Sequence, residues 1–181
     1  MGEVISYALY NYTNPTVRQA IWHLKYYRRS SVAKSMIQYH GEDIMTFLHE
    51  LLQTTTQTKV ILVPIPQHFT KTFQRGFNQS TELARWVQKI IPGSIVSPLL
   101  RKTKTTLSQA HTVNKKQRQD NMKNSMSVKH SLQPVYADAL YIIIDDVITT
   151  GSTTNEASRA LRAAGVKHIC AIALAHGYAG S

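Results

Sequence analysis

The densest chemistry in the chain lies between Leu140 and Thr154. There an apolar run, Leu-Tyr-Ile-Ile-Ile, meets two adjacent carboxylates, Asp145 and Asp146, and then a turn that carries Thr149, Thr150, Gly151, Ser152 and Thr153. Two carboxylates side by side accept hydrogen bonds from sugar hydroxyls. The turn offers four hydroxyls and, around Gly151, backbone N–H groups that no side chain shields, which suits a phosphate. A sugar phosphate would satisfy both halves of this stretch.

The elements that must position these groups can be read from periodicity. Tyr141 to Ile144 is a short β-branched run, expected to be a strand buried on both faces that ends at the acid pair. Carboxylates at a strand's carboxyl end enter the crevice where open α/β sheets bind ligands, so both are expected to face solvent and substrate. Thr153 and Glu156 have capping-box spacing, which predicts a helix whose positive dipole end faces the same phosphate. Its apolar face would be Ala157, Ala160, Leu161 and Ala164, with Gly165 as its stop. Elsewhere, Val17, Ala20, Ile21 and Leu24 have helical spacing, and a second helical stretch runs from Ser31 to Leu52 with a break near Gly41. Both are expected to precede the sheet. Val60 to Val63 is a strand, Asn78 to Ile91 a helix, and Ile95 to Leu100 a strand interrupted by Pro98. A strand around Met126 to Val128 and a last one from His168 to Leu174 complete the alternation. The order implies an α/β fold with a mostly parallel sheet flanked by helices. We expect one domain, 1–181, divided into an N-terminal helical region, 1–57, and an α/β core, 58–181.

The segment from Asp145 to Thr153 resembles the phosphoribosyl pyrophosphate (PRPP) loop of type I phosphoribosyltransferases. By that resemblance Asp145 and Asp146 bind the ribose hydroxyls, and Thr149, Thr150, Gly151, Ser152 and Thr153 wrap the 5′-phosphate. A narrower likeness lies in Val63-Pro64-Ile65-Pro66 and Arg75-Gly76-Phe77-Asn78-Gln79, which are similar to motifs of the ComF family, associated with competence and DNA uptake. Arg101, Thr105 or Thr106, Gln109, Arg118 and Asn121 follow in the order of that family's long loop, and Tyr12, Arg18 and Leu24-Lys25-Tyr26 resemble its N-terminal helical region. The resemblance implies a type I phosphoribosyltransferase fold and, as one expectation, an enzyme. It would bind PRPP with Mg²⁺, held at Asp145 and Asp146 mainly through substrate or water, and transfer the phosphoribosyl group to a base or amine acceptor. Leaving-group contacts are expected from the turn Ile65, Pro66, Gln67 and His68, from Arg75, and from Arg101 or Lys102. Many family members begin with a four-cysteine zinc module, and Cys170 is the only cysteine here. It lies in an apolar run and reads as a buried, inert thiol.

The net charge of +11 is uneven. Eight basic residues against Asp120 alone lie between Arg101 and His130, and five with no acid lie between Arg18 and Lys34, interleaved with Trp22, Tyr26 and Tyr27. A lid whose cations approach pyrophosphate is one reading, and a surface that neutralises nucleic-acid phosphates is another. The second supports the alternative of a non-catalytic PRPP-binding accessory protein that contacts single-stranded DNA or a DNA-uptake partner. The eight histidines form no ligand set, although His68 and His111 fall in segments expected to border the pyrophosphate. With neither an apolar stretch long enough to span a bilayer nor a secretion-signal pattern, the chain is expected to be cytoplasmic. The type I resemblance adds a homodimer as an expectation. An acid found three residues after the pair in many 6-oxopurine salvage enzymes is replaced by Thr149, so the acceptor stays open.

Overall fold

The computed structural model describes residues 4–27, 30–53, 59–67, 76–103, 124–129, 136 and 138–177. Seven strands and five helices follow one another there in this order: β1 (Ile5–Asn11), α1 (Pro15–Tyr27), α2 (Ser30–Tyr39), α3 (Gly41–Gln53), β2 (Val60–Pro64), α4 (Gln79–Ile90), β3 (Ile95–Val96), β4 (Leu100–Lys102), β5 (Met126–Val128), β6 (Leu140–Ile148), α5 (Ser152–Ala163) and β7 (His168–His176). A five-stranded sheet has the order β1-β7-β6-β2-β3, and all its pairings are parallel. Helices cover both faces, as the alternation predicts. β4 and β5 form a separate antiparallel pair.

The central strand β6 explains itself by what lies on each side. Ile142 and Ile144 join Leu62, Ile172 and Leu174 against Leu24, Ile37, Leu48, Leu83 and Val87 of α1 to α4. Tyr141 and Ile143 join Ile61, Val63 and Ala171 on the other face, under Ala157 and Leu161 of α5 and under Leu100, Met126 and Val128 of the small hairpin. A strand flanked this way loses water on both faces, so β-branched residues run continuously rather than alternating with polar ones.

Four expectations are corrected. The sheet begins before the helices: β1 pairs with β7 from Ile5↔Cys170 to Asn11↔His176, and only Leu9 of it is buried. An edge strand with one buried position gives little periodic signal. The stretch Ile95 to Leu100 is two strands in two sheets, because Leu99 N–H turns back onto the Ser97 carbonyl (2.8 Å) and Pro98 has no N–H to continue a ladder. β6 does not end at the acid pair but runs to Ile148, pairing Val147 with Ala175 and Ile148 with His176. Finally, α5 has no capping box. Gly151 occupies the N-cap in the left-handed region (φ 69°) without a side-chain cap, and Glu156 is engaged elsewhere. The break at Gly41, the stop at Gly165 (φ 95°) and the strand at Met126 are borne out.

Candidate functional site

Parallel pairing brings the sequence-predicted groups together. Pro64 lies beside Ile144 in the register of β2 and β6, and Ile65 N–H donates to the Ile144 carbonyl (3.0 Å), so the turn at Ile65, Pro66 and Gln67 starts next to the acid pair. Asn78 fixes that turn from the other side. Its Nδ2 donates to the Ile65 carbonyl (2.9 Å), while its Oδ1 accepts from Ser80 N–H (3.0 Å) and caps α4. One asparagine thereby ties the start of α4 to the turn that follows β2. The Oε1 of Gln67 is buried without a hydrogen-bond partner. Arg75, His68 and His111 lie outside the described residues, as do Thr105, Thr106, Gln109, Arg118 and Asn121.

Asp145 and Asp146 are half-buried rather than open to solvent. By strand alternation Asp146 continues the parity of Ile142 and Ile144, toward the α1 to α4 face. There Lys25 Nζ of α1 meets its Oδ2 at 2.8 Å, with the two side chains 24% and 17% exposed. Asp145 accepts a hydrogen bond from Asp146 N–H on Oδ1 (2.9 Å). Burial, and next the charge of Asp146, push the Asp145 carboxyl up to about 7, against the smaller pull of that N–H, Lys25 and Lys102. Asp145 therefore keeps its proton to higher pH than an ordinary carboxyl.

Beyond β6, the turn into α5 holds the hydroxyls. Thr150 Oγ1 and Ser152 Oγ are hydrogen-bonded at 2.7 Å, and Asn155 N–H closes the first helical turn onto the Gly151 carbonyl (2.8 Å). A cleft of about 190 Å³ lies here, lined by Thr149, Thr150, Gly151, Thr154, Asn155 and His176 among others. Helix N-terminal amides and hydroxyls around a cleft this size suit a phosphate. Gly151 lets the chain turn with positive φ where a β-carbon would be strained.

Residues 90–180 match the phosphoribosyl transferase domain family. The chain belongs to that family. It is 35% identical over 112 residues to Competence protein F of Haemophilus influenzae, which covers 60% of this chain and 46% of that protein. It is 29% identical over 147 residues to DNA utilization protein YhgH of Escherichia coli K12, covering 81% of this chain and 61% of the relative. The ComF resemblance is borne out by these relatives, and the chain spans about half to three fifths of their length. The type I phosphoribosyltransferase fold is likewise borne out by the sheet and by the family match.

The two cations expected to meet a leaving group, Arg101 and Lys102, are placed differently. Lys102 is close enough to Asp145 for its charge to act on that carboxyl, whereas the Arg101 guanidinium is exposed and donates through Nε to Ser127 Oγ (3.1 Å). Both stand on β4, whose partner β5 is clamped to α5. Glu156 Oε1 accepts from Met126 N–H (3.0 Å), Arg159 Nη2 donates to the Met126 carbonyl (2.9 Å), and Arg159 Nε donates to Glu156 Oε2 (2.8 Å). Sequence reasoning took Glu156 for a cap and passed over Arg159. Their i,i+3 spacing was a signal, but only the fold shows that it grips a strand. Lys25 and Asn78 were noticed in motifs without a role; both prove to hold the acid pair's surroundings.

Two further expectations bear on the site. Burial pushes the Cys170 thiol up to about 12, consistent with an inert side chain. No described helix is long and apolar enough to cross a membrane.

Proposed function

We propose that the chain binds PRPP together with Mg²⁺ and transfers the phosphoribosyl group to a nitrogenous acceptor, releasing pyrophosphate. The observation that carries this reading is Asp145. It shares β6 with Asp146 and with Ile148, which lines the hydroxyl-bearing cleft at the start of α5, and burial beside a second carboxylate raises its pKa, a state that suits ligand binding. Asp145 and Asp146 accept the ribose hydroxyls, and residues 149–153 hold the 5′-phosphate by backbone amides and hydroxyls. The Ile65 to Gln67 turn, Lys102, Arg75 and, on rearrangement, Arg101 receive the pyrophosphate.

Among the described residues no group of three or more His, Cys, Asp or Glu could cage a metal. Two adjacent carboxylates fit instead an Mg²⁺ that arrives on the diphosphate and keeps most of its water. When bound, the ion would neutralise charge that develops on pyrophosphate. The chain's own task is orientation and charge. The C1–O bond breaks with its electron pair leaving on pyrophosphate, the acceptor nitrogen attacks from the opposite face, and fixed cations and amides meet the departing charge.

A thermal-melt titration with PRPP, with and without Mg²⁺, tests the reading. At about a hundred times its dissociation constant PRPP should add roughly 2.7 kcal/mol, a rise of roughly 5–10 °C for a chain this size. The rise should require Mg²⁺ and vanish in Asp145→Asn/Asp146→Asn. No rise at millimolar PRPP would refute it.

A second reading is supported by the names of the relatives, one a competence protein and the other a DNA utilization protein, together with the net charge of +11. In it the domain binds PRPP without catalysis and contacts single-stranded DNA or a DNA-uptake partner. Binding carried by several phosphate contacts falls steeply with salt. Failure to bind an oligonucleotide even at low salt would remove its DNA-contacting form.

A further inference from the structure

Helix α1 carries a groove of about 510 Å³ lined by Tyr12, Arg18, Gln19, Trp22, Lys25 and Tyr26 with Pro15 and Ile21. Its position is set by two ties to the candidate site. Lys25 Nζ, one of its lining groups, is on Asp146 Oδ2 at 2.8 Å. At the other end Tyr12 N–H donates to the His176 carbonyl (2.9 Å), and the next residue, Gly177, donates to the Ile148 carbonyl (2.8 Å). A β-carbon on Gly177 would stand 3.2 Å from Thr149 Cγ2 and 3.4 Å from Tyr12 Cδ1, so Tyr12 flanks the phosphate turn. The groove therefore borders both the acid pair and the phosphate loop. Its Lys25 end also meets the start of α4, where Gln79 Nε2 donates to the Lys25 carbonyl (3.3 Å).

The chemistry of its walls is selective. Trp22 is 48% exposed, an unusual state for so large an apolar ring, and it stands 5.4 Å from the Tyr26 ring. Flat apolar walls favour a flat ring. Arg18 and Lys25, the latter paired with Asp146, supply two cations and Gln19 an amide, and no acid lines the groove among the described residues. An uncharged or cationic guest leaves Arg18 without use; a carboxylate takes its fork of donors.

We propose that this groove is the acceptor subsite and that the acceptor is a planar aromatic nitrogen heterocycle bearing a carboxylate. The assignment rests on the PRPP reading above. The ring stacks against Trp22 and Tyr26, and its carboxylate pairs with Arg18. Its ring nitrogen lone pair forms the bond to C1 as the C1–O bond to pyrophosphate breaks and pyrophosphate leaves with that electron pair. A proton carried by that nitrogen passes to water or to the departing pyrophosphate.

The test uses the full chain with Trp86→Phe, so that Trp22 is the remaining tryptophan, saturated with Mg²⁺ and PRPP. Fluorescence is titrated with pyridine and pyrimidine monocarboxylates and with the matching carboxamides. At least one acid should quench Trp22 with an affinity at least tenfold above that of its amide. That preference should collapse in Arg18→Gln and survive only in part in Arg18→Lys, which keeps the charge and loses the fork; Arg18 is exposed, so neither change threatens the fold. Equal binding of acids and amides, or indifference to Arg18→Gln, overturns the assignment. A PRPP-dependent melting shift without quenching by any acid overturns it while the PRPP reading stands. Absence of that shift overturns both. Quenching by an oligothymidylate, salt-sensitive and indifferent to PRPP, with none by the acids, would replace it with nucleic-acid binding.

Discussion

Asp145 and Glu156 are two carboxyls withdrawn from water, one on the central strand and one on the helix that follows it, and they are driven in opposite directions. For Glu156, burial is again the largest influence and acts upward. The Arg159 guanidinium and the Met126 N–H together outweigh it and leave the carboxyl below its ordinary 4.5. Both of its oxygens are occupied. Asp145 is pushed up by burial and by Asp146 to about 7, because the N–H of Asp146 and two more distant cations do not compensate. The difference teaches that burial by itself does not set a carboxyl's state; its partners do. Glu156 is built into the fold as a brace, and Asp145 is held as an acceptor that the fold leaves incompletely served.

Removing each acid should therefore move stability in opposite senses. Glu156→Ala takes away the partner of a partly exposed guanidinium and leaves the buried Met126 N–H unserved, with an expected loss of about 1–3 kcal/mol in urea unfolding. A loss under about 1 kcal/mol would mean that the brace does not hold the β4–β5 hairpin. Asp145→Asn should instead raise the stability of the ligand-free chain by roughly 1–3 kcal/mol at about pH 8. A destabilised Asp145→Asn would break the comparison.

The pH profile sharpens it. The folded pKa of Asp145 is raised from 3.8 to about 7, so its contribution is fully present below about pH 3.8 and is lost as pH climbs through 7. That of Glu156 is lowered from 4.5, so its contribution is present above pH 4.5 and is lost as pH falls through the depressed value. Unfolding free energies from pH 3 to pH 8 should decline toward the alkaline end in wild type and less in Asp145→Asn. The acid-side decline should be shallower in Glu156→Ala.

Two smaller effects follow. Lys25→Met leaves Asp146 without its cation, and because the pair keeps partial exposure the loss should be about 1–2 kcal/mol by thermal melting. An unchanged melting temperature would show that Asp146 finds water as good a partner. Gly151→Ala should cost about 1 kcal/mol. Its β-carbon would stand an ordinary 3.6 Å from Asn155 Nδ2, so the cost is that of positive φ alone.

Much of the fold was legible because burial writes itself into periodicity. The continuous β-branched run of β6, the apolar faces of α4 and α5, and the break at Gly41 all appeared where expected. β1 was not legible, since one edge paired to β7 and a single buried residue leave no pattern to read. The Thr153 and Glu156 spacing misled for an instructive reason. A glutamate at that spacing can reach back to the helix start, but here a neighbouring strand and Arg159 offer its oxygens better partners.

The sequence by itself determined the inventory of the site: the acid pair, the hydroxyl turn, the glycine that permits it and the cations on either side of it. These are local matters, set by residue type and by spacing of a few positions. The tertiary structure decided their state. It brought Ile65 beside Ile144, set Lys25 on Asp146, raised Asp145, clamped the hairpin through Glu156 and opened a groove on α1 against the hydroxyl turn. Protonation, pairing and cavity shape depend on which distant segments exclude water from a group and which donors they supply, and neither is encoded at the residue concerned.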